Sequence, residues 1–493
     1  MNARVAIFIA IALIATLLFV GLGVRKTDFA PNWLAAPIGA PRVSGEIMVL
    51  TVRGPTTAQT LPKSSATEDD IKTGFEYDLA TLFAKELGVT LNFKVVSSYT
   101  TLLQLLNANR AHIAAAGLSP SPQLRQQFAF GPSYKTIQYQ LIYRTKESRP
   151  KNSALLGDRK MAVIAETPAH DIARDLTGNN PTLALEVLPH EATADDLLTA
   201  LDAKRADVAL IDANAFAISR RLHPDLSSAF NVGRESKVAW AFSNAADYDL
   251  QQSSVRFFEK IRANGVLNRL IDRYYGHVNR IQPIDTVAMF ENIRKELPKF
   301  RDHFHEAQRL TGIDWRIIAA VGYQESHWDP LATSPTGVRG LMMLTEDTAD
   351  RMKVKNRLDA RESIIGGAQY IALLRDTVPQ RIVEPDRTWL ALAAYNQGYG
   401  HLEDARILTA RMGLNADTWL DVRKAYPKLT EPEIFETLKH GYCRGNEAVQ
   451  FVENIRNYTD MLMRLEKPLA DNRETSFLDE AAQAFEKRRL KKN

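Results

Sequence analysis

Between Ile317 and Pro330 the chain reads Ile-Ile-Ala-Ala-Val-Gly-Tyr-Gln-Glu-Ser-His-Trp-Asp-Pro. Ile318, Val321 and Gly322 fall at helical spacing, and Glu325 is the next position on that stripe. A carboxylate on an apolar face is costly when it is ionised and unpaired. Desolvation there raises its pKa, and a carboxylic acid still protonated near neutral pH can act as a general acid. The segment by itself also fits a buried glutamate satisfied by hydrogen bonds. His327, beside it, is expected on the surface or on a cleft wall.

Other chemistries are set aside by what is missing. His305-Glu306-Ala307-Gln308-Arg309 carries an arginine where a metalloprotease helix needs its second histidine. There is no Gly-x-Ser-x-Gly elbow and no phosphate-binding glycine loop. The single cysteine, Cys443, excludes an internal disulfide framework and a zinc cluster built on thiolates. No metal and no cofactor are expected.

Three further stretches follow Glu325-Ser326 in order. They are Ser334-Pro-Thr-Gly-Val-Arg-Gly-Leu-Met342-Met343, Ala393-Ala-Tyr395-Asn396-Gln-Gly398 and Glu453-Asn-Ile-Arg-Asn-Tyr458. In this order and spacing they resemble the lysozyme-like catalytic domain of soluble-type lytic murein transglycosylases, over about residues 295–465. That family's second motif ends Gly-Leu-Met-Gln, and here Met343 stands in the glutamine's place. The resemblance implies cleavage of the β-1,4 bond between N-acetylmuramic acid and N-acetylglucosamine without water. The C6 hydroxyl of the muramic sugar attacks its own C1, leaving a 1,6-anhydro end. Glu325 would be acid and then base. Ser334 and Tyr395 would hydrogen-bond near Glu325 or the sugar, with Ser326 in support. Tyr458 would orient the carboxyl, Asn396 would contact an N-acetyl group, and Met342 and Met343 would line the cleft.

The chemistry agrees with a single carboxylate. Glycosidases that use water or an enzyme nucleophile need a second one. Asp329 lies before a proline and reads as a turn residue. An internal hydroxyl of the substrate can replace the missing group through its effective concentration. Plainer readings stay open. Tyr395 and Tyr458 could be core tyrosines, Asn396 could mark a helix end, and the methionines could be packing. Two rival functions also remain: a goose-lysozyme-like hydrolytic muramidase, and a catalytically inactive cell-wall-binding sensor.

The elements that must position these residues differ between the two halves. Strand, helix and strand patterns alternate from Gly45: Ile47–Arg53 (strand), Phe75–Leu87 (helix), Val89–Val96 (strand), Leu102–Asn109 (helix) and Ile113–Gly117 (strand end). The alternation resumes at Met161–Ala165 (strand), Thr193–Asp202 (helix), Val208–Ile211 (strand) and Asn214–Arg221 (helix). Two successive α/β lobes with mainly parallel sheets are expected, forming a clamshell with a cleft. Beyond residue 292 only helical periodicity appears, which predicts an all-α domain.

Within the first half, Gly74-Phe-Glu-Tyr-Asp-Leu-Ala80, Ser119-Pro-Ser-Pro-Gln-Leu-Arg125, Ala206-Asp-Val-Ala-Leu-Ile-Asp212 and Asp272-Arg-Tyr-Tyr-Gly276 resemble motifs of periplasmic solute-binding proteins for polar amino acids. The match covers about residues 45–277. It implies that Arg125 grips a ligand carboxylate and that Asp212 takes an amine. Bidentate Arg–carboxylate geometry suits the first role. The alternatives are an ion pair for Arg125 and a helix cap for Asp212. Leu124 departs from the acidic residue usual before the arginine.

Arg4 is followed by twenty uncharged, mostly apolar residues, Val5 to Val24, and then Arg25 and Lys26. Residues 1–24 read as a signal peptide or membrane anchor. The expected order continues with a linker (25–44), the solute-binding-like domain (45–277), a connector (278–294), the lysozyme-like domain (295–466) and a polar basic tail (467–493). A net charge of +4 gives no argument for nucleic acid. With both domains in this order, the chain resembles the F-type membrane-bound lytic murein transglycosylases. That implies an exported enzyme on the periplasmic face of the outer membrane, or alternatively one anchored in the inner membrane. Its partners would be peptidoglycan glycan strands and a muropeptide or amino-acid-like ligand.

Overall fold

The computed structural model describes residues 38–54, 57–61, 71–220, 223, 225–243, 248–276, 283–335 and 337–465. The expected targeting segment, the linker up to residue 37 and the basic tail lie outside the described residues. Among the described residues no helix is long and apolar enough to cross a membrane.

The first half builds two five-stranded sheets. One contains β1 (Glu46–Val52), β4 (Thr90–Val96), β5 (Ile113–Ala114), β6 (Phe128–Phe130) and β12 (Ala241–Ser243), in the order β4-β1-β5-β12-β6. The other contains β7 (Lys135–Arg144), β8 (Lys160–Ile164), β9 (Ala184–Leu188), β10 (Val208–Asp212) and β11 (Leu226–Val238), in the order β11-β7-β10-β8-β9. The short pair β2 (Gln59–Leu61) and β3 (Ile71–Thr73) stands apart. Each large sheet is mainly parallel, as expected: a parallel trio, one strand that runs against it, and an edge strand that again points with the trio. β12 runs against β5 and β6, and β7 runs against β10 and β11. The chain crosses between the lobes twice, and the two crossings pair with each other. Tyr134 N donates to Val238 O at 3.0 Å, and Gly131 N donates to Trp240 O at 3.0 Å.

Helix α1 (Phe75–Leu87) packs its apolar stripe onto the first sheet, burying Phe75, Leu79, Ala80, Phe83 and Ala84. Trp240 and Phe257 close over Phe83, with ring centroids 5.4 and 5.1 Å away. Large aromatic side chains contribute most of the apolar area buried in such a core. The half ends in α7 (Tyr248–Ala263) and α8 (Val266–Tyr275), broken at Gly265.

The second half is helical, as expected. Its strand-like features among the described residues are isolated bridges at Thr333–Arg339 and Arg339–Leu344. A helix, α9 (Pro283–Lys295), occupies most of the expected connector and begins at a proline, the residue best suited to a first helical position. α10 (Leu297–Thr311) leads into α11 (Trp315–Ser326). Asp314 caps α11 through Arg316 N at 2.8 Å. Ile318, Ala319, Val321 and Gly322 face the core. His327 and Trp328 then adopt φ of 56° and 66°, a tight left-handed turn. The turn sends Trp328 back under the helix, where its indole N–H donates to Ala319 O at 2.8 Å.

The loop after this turn approaches other backbone closely. Gly340 has φ of 82°, and a Cβ there would lie 1.7 Å from Arg357 O. Only glycine fits both constraints. Gly340→Ala is expected to destabilise the catalytic half by about 2–4 kcal/mol. Urea titration followed by tryptophan fluorescence measures it, and a loss below about 0.5 kcal/mol would contradict the packing described.

Candidate active site

Glu325 occupies the last turn of α11, half-buried, one residue before the helix ends. Burial alone pushes its carboxyl up to about 8. No ion pair or hydrogen bond to that carboxyl is present among the described residues. The group is therefore a protonated acid at neutral pH. Asp329, the other nearby carboxylate, is exposed and accepts Leu331 N at 2.9 Å, so it serves a turn.

Of the other motif residues, Ser326, Tyr395 and Tyr458 are tied to the end of α11 or to the loop beside it, whereas Ser334 and Asn396 bond within their own segments. Ser326 Oγ donates to Leu341 O at 2.8 Å, tying the end of α11 to the second motif. Tyr395, near the end of α14 (Asp386–Gln397), donates to Met342 O at 2.8 Å. Burial raises the Tyr395 phenol well above its usual pKa, and the nearby Glu325 carboxyl adds to the effect. Tyr458, on α17 (Gly445–Leu465), meets Tyr323 edge-on at 4.9 Å. Ser334 shapes its own turn, with Val338 N 3.3 Å from its hydroxyl. Asn396 Oδ1 accepts from Gln397 Nε2 at 2.8 Å.

Two expectations need correction. Met342 is fully buried, so its side chain packs the core and only its carbonyl reaches the site. Met343, half-buried with φ of 47°, is the methionine left at the surface of this loop. The other concerns Arg125. It lies on α3 (Pro122–Gln127), a short helix with no buried residue, and its guanidinium rests 5.7 Å from the Phe130 ring. It is exposed and is not among the residues that line the cavity described next.

The cleft between the lobes is a cavity of about 150 Å³ lined from both sides, including Arg53, Ser98, Thr167, His190 and Asp212. Asp212 Oδ1 caps α6 (Ala213–Ser219) through the amides of Asn214 and Ala215, each at 3.0 Å. Its Oδ2 is buried with no hydrogen-bond partner among the described residues. Desolvation raises the Asp212 pKa, against the two amides and the Lys135 ammonium. Lys135 lies 3.2 Å over the Tyr275 ring, and desolvation lowers it to about 8. Glu76, fully buried, accepts from the Tyr134 hydroxyl and from Trp240 Nε1 at 3.0 Å.

Sequence similarity agrees with this division. Residues 302–412 match the transglycosylase SLT domain, and residues 55–277 match the bacterial extracellular solute-binding proteins, family 3. The chain is 45% identical to the membrane-bound lytic murein transglycosylase F of Nitrosospira multiformis, over 86% of this chain and 87% of that protein. The corresponding protein of Methylobacillus flagellatus is 42% identical over 87% of this chain and 90% of its own length. The chain belongs to the membrane-bound lytic murein transglycosylase F family. Among solved structures, an amino acid ABC transporter substrate-binding protein from Streptococcus pneumoniae covers 49% of this chain and 98% of its own, at 19% identity and a TM-score of 0.43.

In this transglycosylase F family member several groups around the two sites escaped the sequence reading. Tyr370 packs against Tyr395 at 5.6 Å, and Phe451 stacks on its other side at 6.1 Å. Asn454 Nδ2 donates to Gln324 Oε1 at 3.0 Å, next to Glu325. Asn454 lies inside the Glu453–Tyr458 stretch, so that motif held the signal. Glu76 lies in the Gly74–Ala80 motif and on the apolar stripe of α1, so the signal was there, whereas Lys135 sits in a strand where nothing in the spacing marks it.

The folded state keeps a proton on Glu325 up to about pH 8, whereas an unfolded glutamate loses it near 4.5. The stabilising contribution is fully present below about 4.5 and is lost as pH rises through about 8. Glu325→Gln removes this dependence. Urea titrations should show variant and wild type alike near pH 4, with the variant ahead by on the order of 2–4 kcal/mol near pH 8.5. Equal stability at the higher pH would mean a solvated carboxyl.

Proposed function

We propose that Glu325 is the single acid–base group of a non-hydrolytic glycan cleavage. The chain is a murein-degrading lytic transglycosylase, a carbon–oxygen lyase acting on polysaccharide. One observation carries the residue assignment: a carboxyl that burial alone holds protonated, with Asp329, the other carboxylate close to it in the chain, engaged in a turn.

The protonated Glu325 gives its proton to the glycosidic oxygen as the C1–O4 bond breaks. Positive charge develops at C1 of the muramic sugar. The C6 hydroxyl of the same sugar attacks C1, and the Glu325 carboxylate takes its proton. The acid is regenerated and a 1,6-anhydro end remains. No water is consumed. Tyr395 and Ser326 steady the second-motif loop through the carbonyls of Met342 and Leu341. Ser334, Asn396 and Met343 contact the sugars, and Tyr458 holds the wall behind the acid. Among these, Met343 replaces a hydrogen-bonding glutamine with a thioether that packs on a sugar face.

The solute-binding half takes a small amino-acid-like or muropeptide group in its interlobe cleft. Asp212 supplies the cation-binding oxygen, supported by its buried, unpartnered Oδ2. The division into domains at 45–277 and 295–466 follows the same reading. The relatives' names support membrane association, and the periplasmic face of the outer membrane is the placement proposed. Binding in the cleft regulates or positions the enzyme.

Digestion of purified murein sacculi, read by mass spectrometry, tests the first reading. Wild type should release muropeptides one water lighter than reducing-end products, and Glu325→Gln should lower the rate by about a thousandfold. Reducing-end products would make the enzyme a muramidase. For the cleft, Asp212→Asn keeps a capping oxygen but removes the charge. Calorimetric titration with free amino acids and a muropeptide digest should show affinity at least about tenfold weaker in the variant. Unchanged binding would move the site elsewhere.

A further inference from the structure

The last helix of the solute-binding half meets the catalytic half through a ring of four charges. Asp272, on α8, accepts at Oδ1 from Arg423 Nη2 at 2.6 Å, and at Oδ2 from Arg456 Nη2 at 3.3 Å. Its main-chain carbonyl accepts from the same Arg456 nitrogen at 2.7 Å. The Nη1 atoms of Arg423 and Arg456 both reach Glu453 Oε1, at 3.1 and 3.0 Å. Trp419 Nε1 donates to that oxygen at 2.8 Å. Arg423 lies on α16 (Trp419–Ala425), while Glu453 and Arg456 lie on α17.

The ring is largely buried, with Asp272 and Arg456 at the edge of a cavity of about 350 Å³. Side-chain exposure is 11% for Asp272, 14% for Arg423, 2% for Arg456 and 0% for Glu453. Two guanidinium groups and two carboxylates balance. Without Asp272, Arg423 and Arg456 would lose the carboxylate that bonds both of them and keep Glu453, with Asp386 close to Arg456. Gly276 keeps room for the Asp272 carboxylate, since a Cβ there would lie 1.9 Å from its Oδ1.

The helix held by this ring has a second face. Asn454 and Tyr458 are four residues apart and share one side of α17. Asn454 bonds Gln324, the residue before Glu325, and Tyr458 packs on Tyr323, two residues before it. Glu453 and Arg456 lie on the reverse side, where Arg456 bonds Asp272 and Glu453 holds both arginines. One helix thus carries the wall behind the acid on one face and the grip of the other half on its reverse.

We propose that Asp272 is a positioning residue of the transglycosylase. From the solute-binding half, it holds α17 in the setting that presents Asn454 and Tyr458 to the end of α11. The inference rests on Glu325 being the acid. It makes the first half a structural part of the catalytic site, in addition to any ligand it takes.

The test uses the full chain and soluble murein glycan strands. Wild type, Asp272→Ala, Asp272→Asn and Arg423→Lys are compared for kcat, KM and amide exchange over residues 450–458. In Asp272→Ala, kcat should fall about five- to twentyfold with KM within about twofold, anhydro products unchanged and exchange faster in that segment. Arg423→Lys, which keeps the charge but loses the fork, should show the same split to a smaller extent. A folded Asp272→Ala with wild-type kcat overturns the proposal, as does a lowered Tm with kcat and KM unmoved. If Asp272→Ala does not fold, Asp272→Asn and Arg423→Lys decide by the same criteria. Retained activity in Glu325→Gln would instead defeat the acid assignment, whatever Asp272 does.

Discussion

A carboxyl withdrawn from water with no cation beside it keeps its proton, and the catalytic half is arranged around that single constraint. The strain can relax in two ways: the side chain can swing into solvent, or a cation can come to it. The structure holds the helix that carries the carboxyl at both ends. Asp314 caps α11 at one end, and the left-handed His327–Trp328 turn pins the other by returning an indole beneath the helix. Three arginines on the surrounding segments are engaged elsewhere. Arg316 pairs with Asp314, Arg357 bonds the carbonyls of Gly337 and Leu344, and Arg456 belongs to the interdomain ring.

The two halves handle buried charge in opposite ways. The catalytic site leaves its acid unpaired, so its chemistry comes from desolvation. The solute-binding half pairs its charges or surrounds them with donors. Glu76 receives a hydroxyl and an indole N–H, and Lys135 lies over aromatic rings in the field of Asp212. Asp212 is intermediate, satisfied at one oxygen by a helix N-terminus and unpartnered at the other among the described residues. That half-satisfied state is what a binding site for an external donor requires.

Where the halves meet, burial is again balanced by pairing. Buried ion networks add little net stability, because desolvation opposes their attraction, but they are demanding of geometry. A ring that fixes two helices of one half against a helix of the other determines orientation more than it raises stability. Its partners lie in α8, α16 and α17, so the seam and the wall behind Glu325 share one helix.

Local order told most of the elements and singled out the carboxyl proposed as the acid. The stripe Ile318, Val321, Gly322, Glu325 follows from the helical period alone, and Phe75–Leu87 is a helix over the residues its spacing and flanking glycines indicate. The ordered motifs told the family, because residue type and spacing along the chain are local facts. What the tertiary structure decided is which groups meet. Periodicity could not show that one strand of each lobe returns antiparallel, since strand direction depends on where the chain re-enters a sheet. It could not place Arg125 outside the cavity lining or Met342 within the core, because helix spacing says which residues share a face and not what that face meets. Asp272 stands 151 residues before Arg423 and 184 before Arg456. Contacts over such separations leave no trace in local spacing, and only folding brings those charges together.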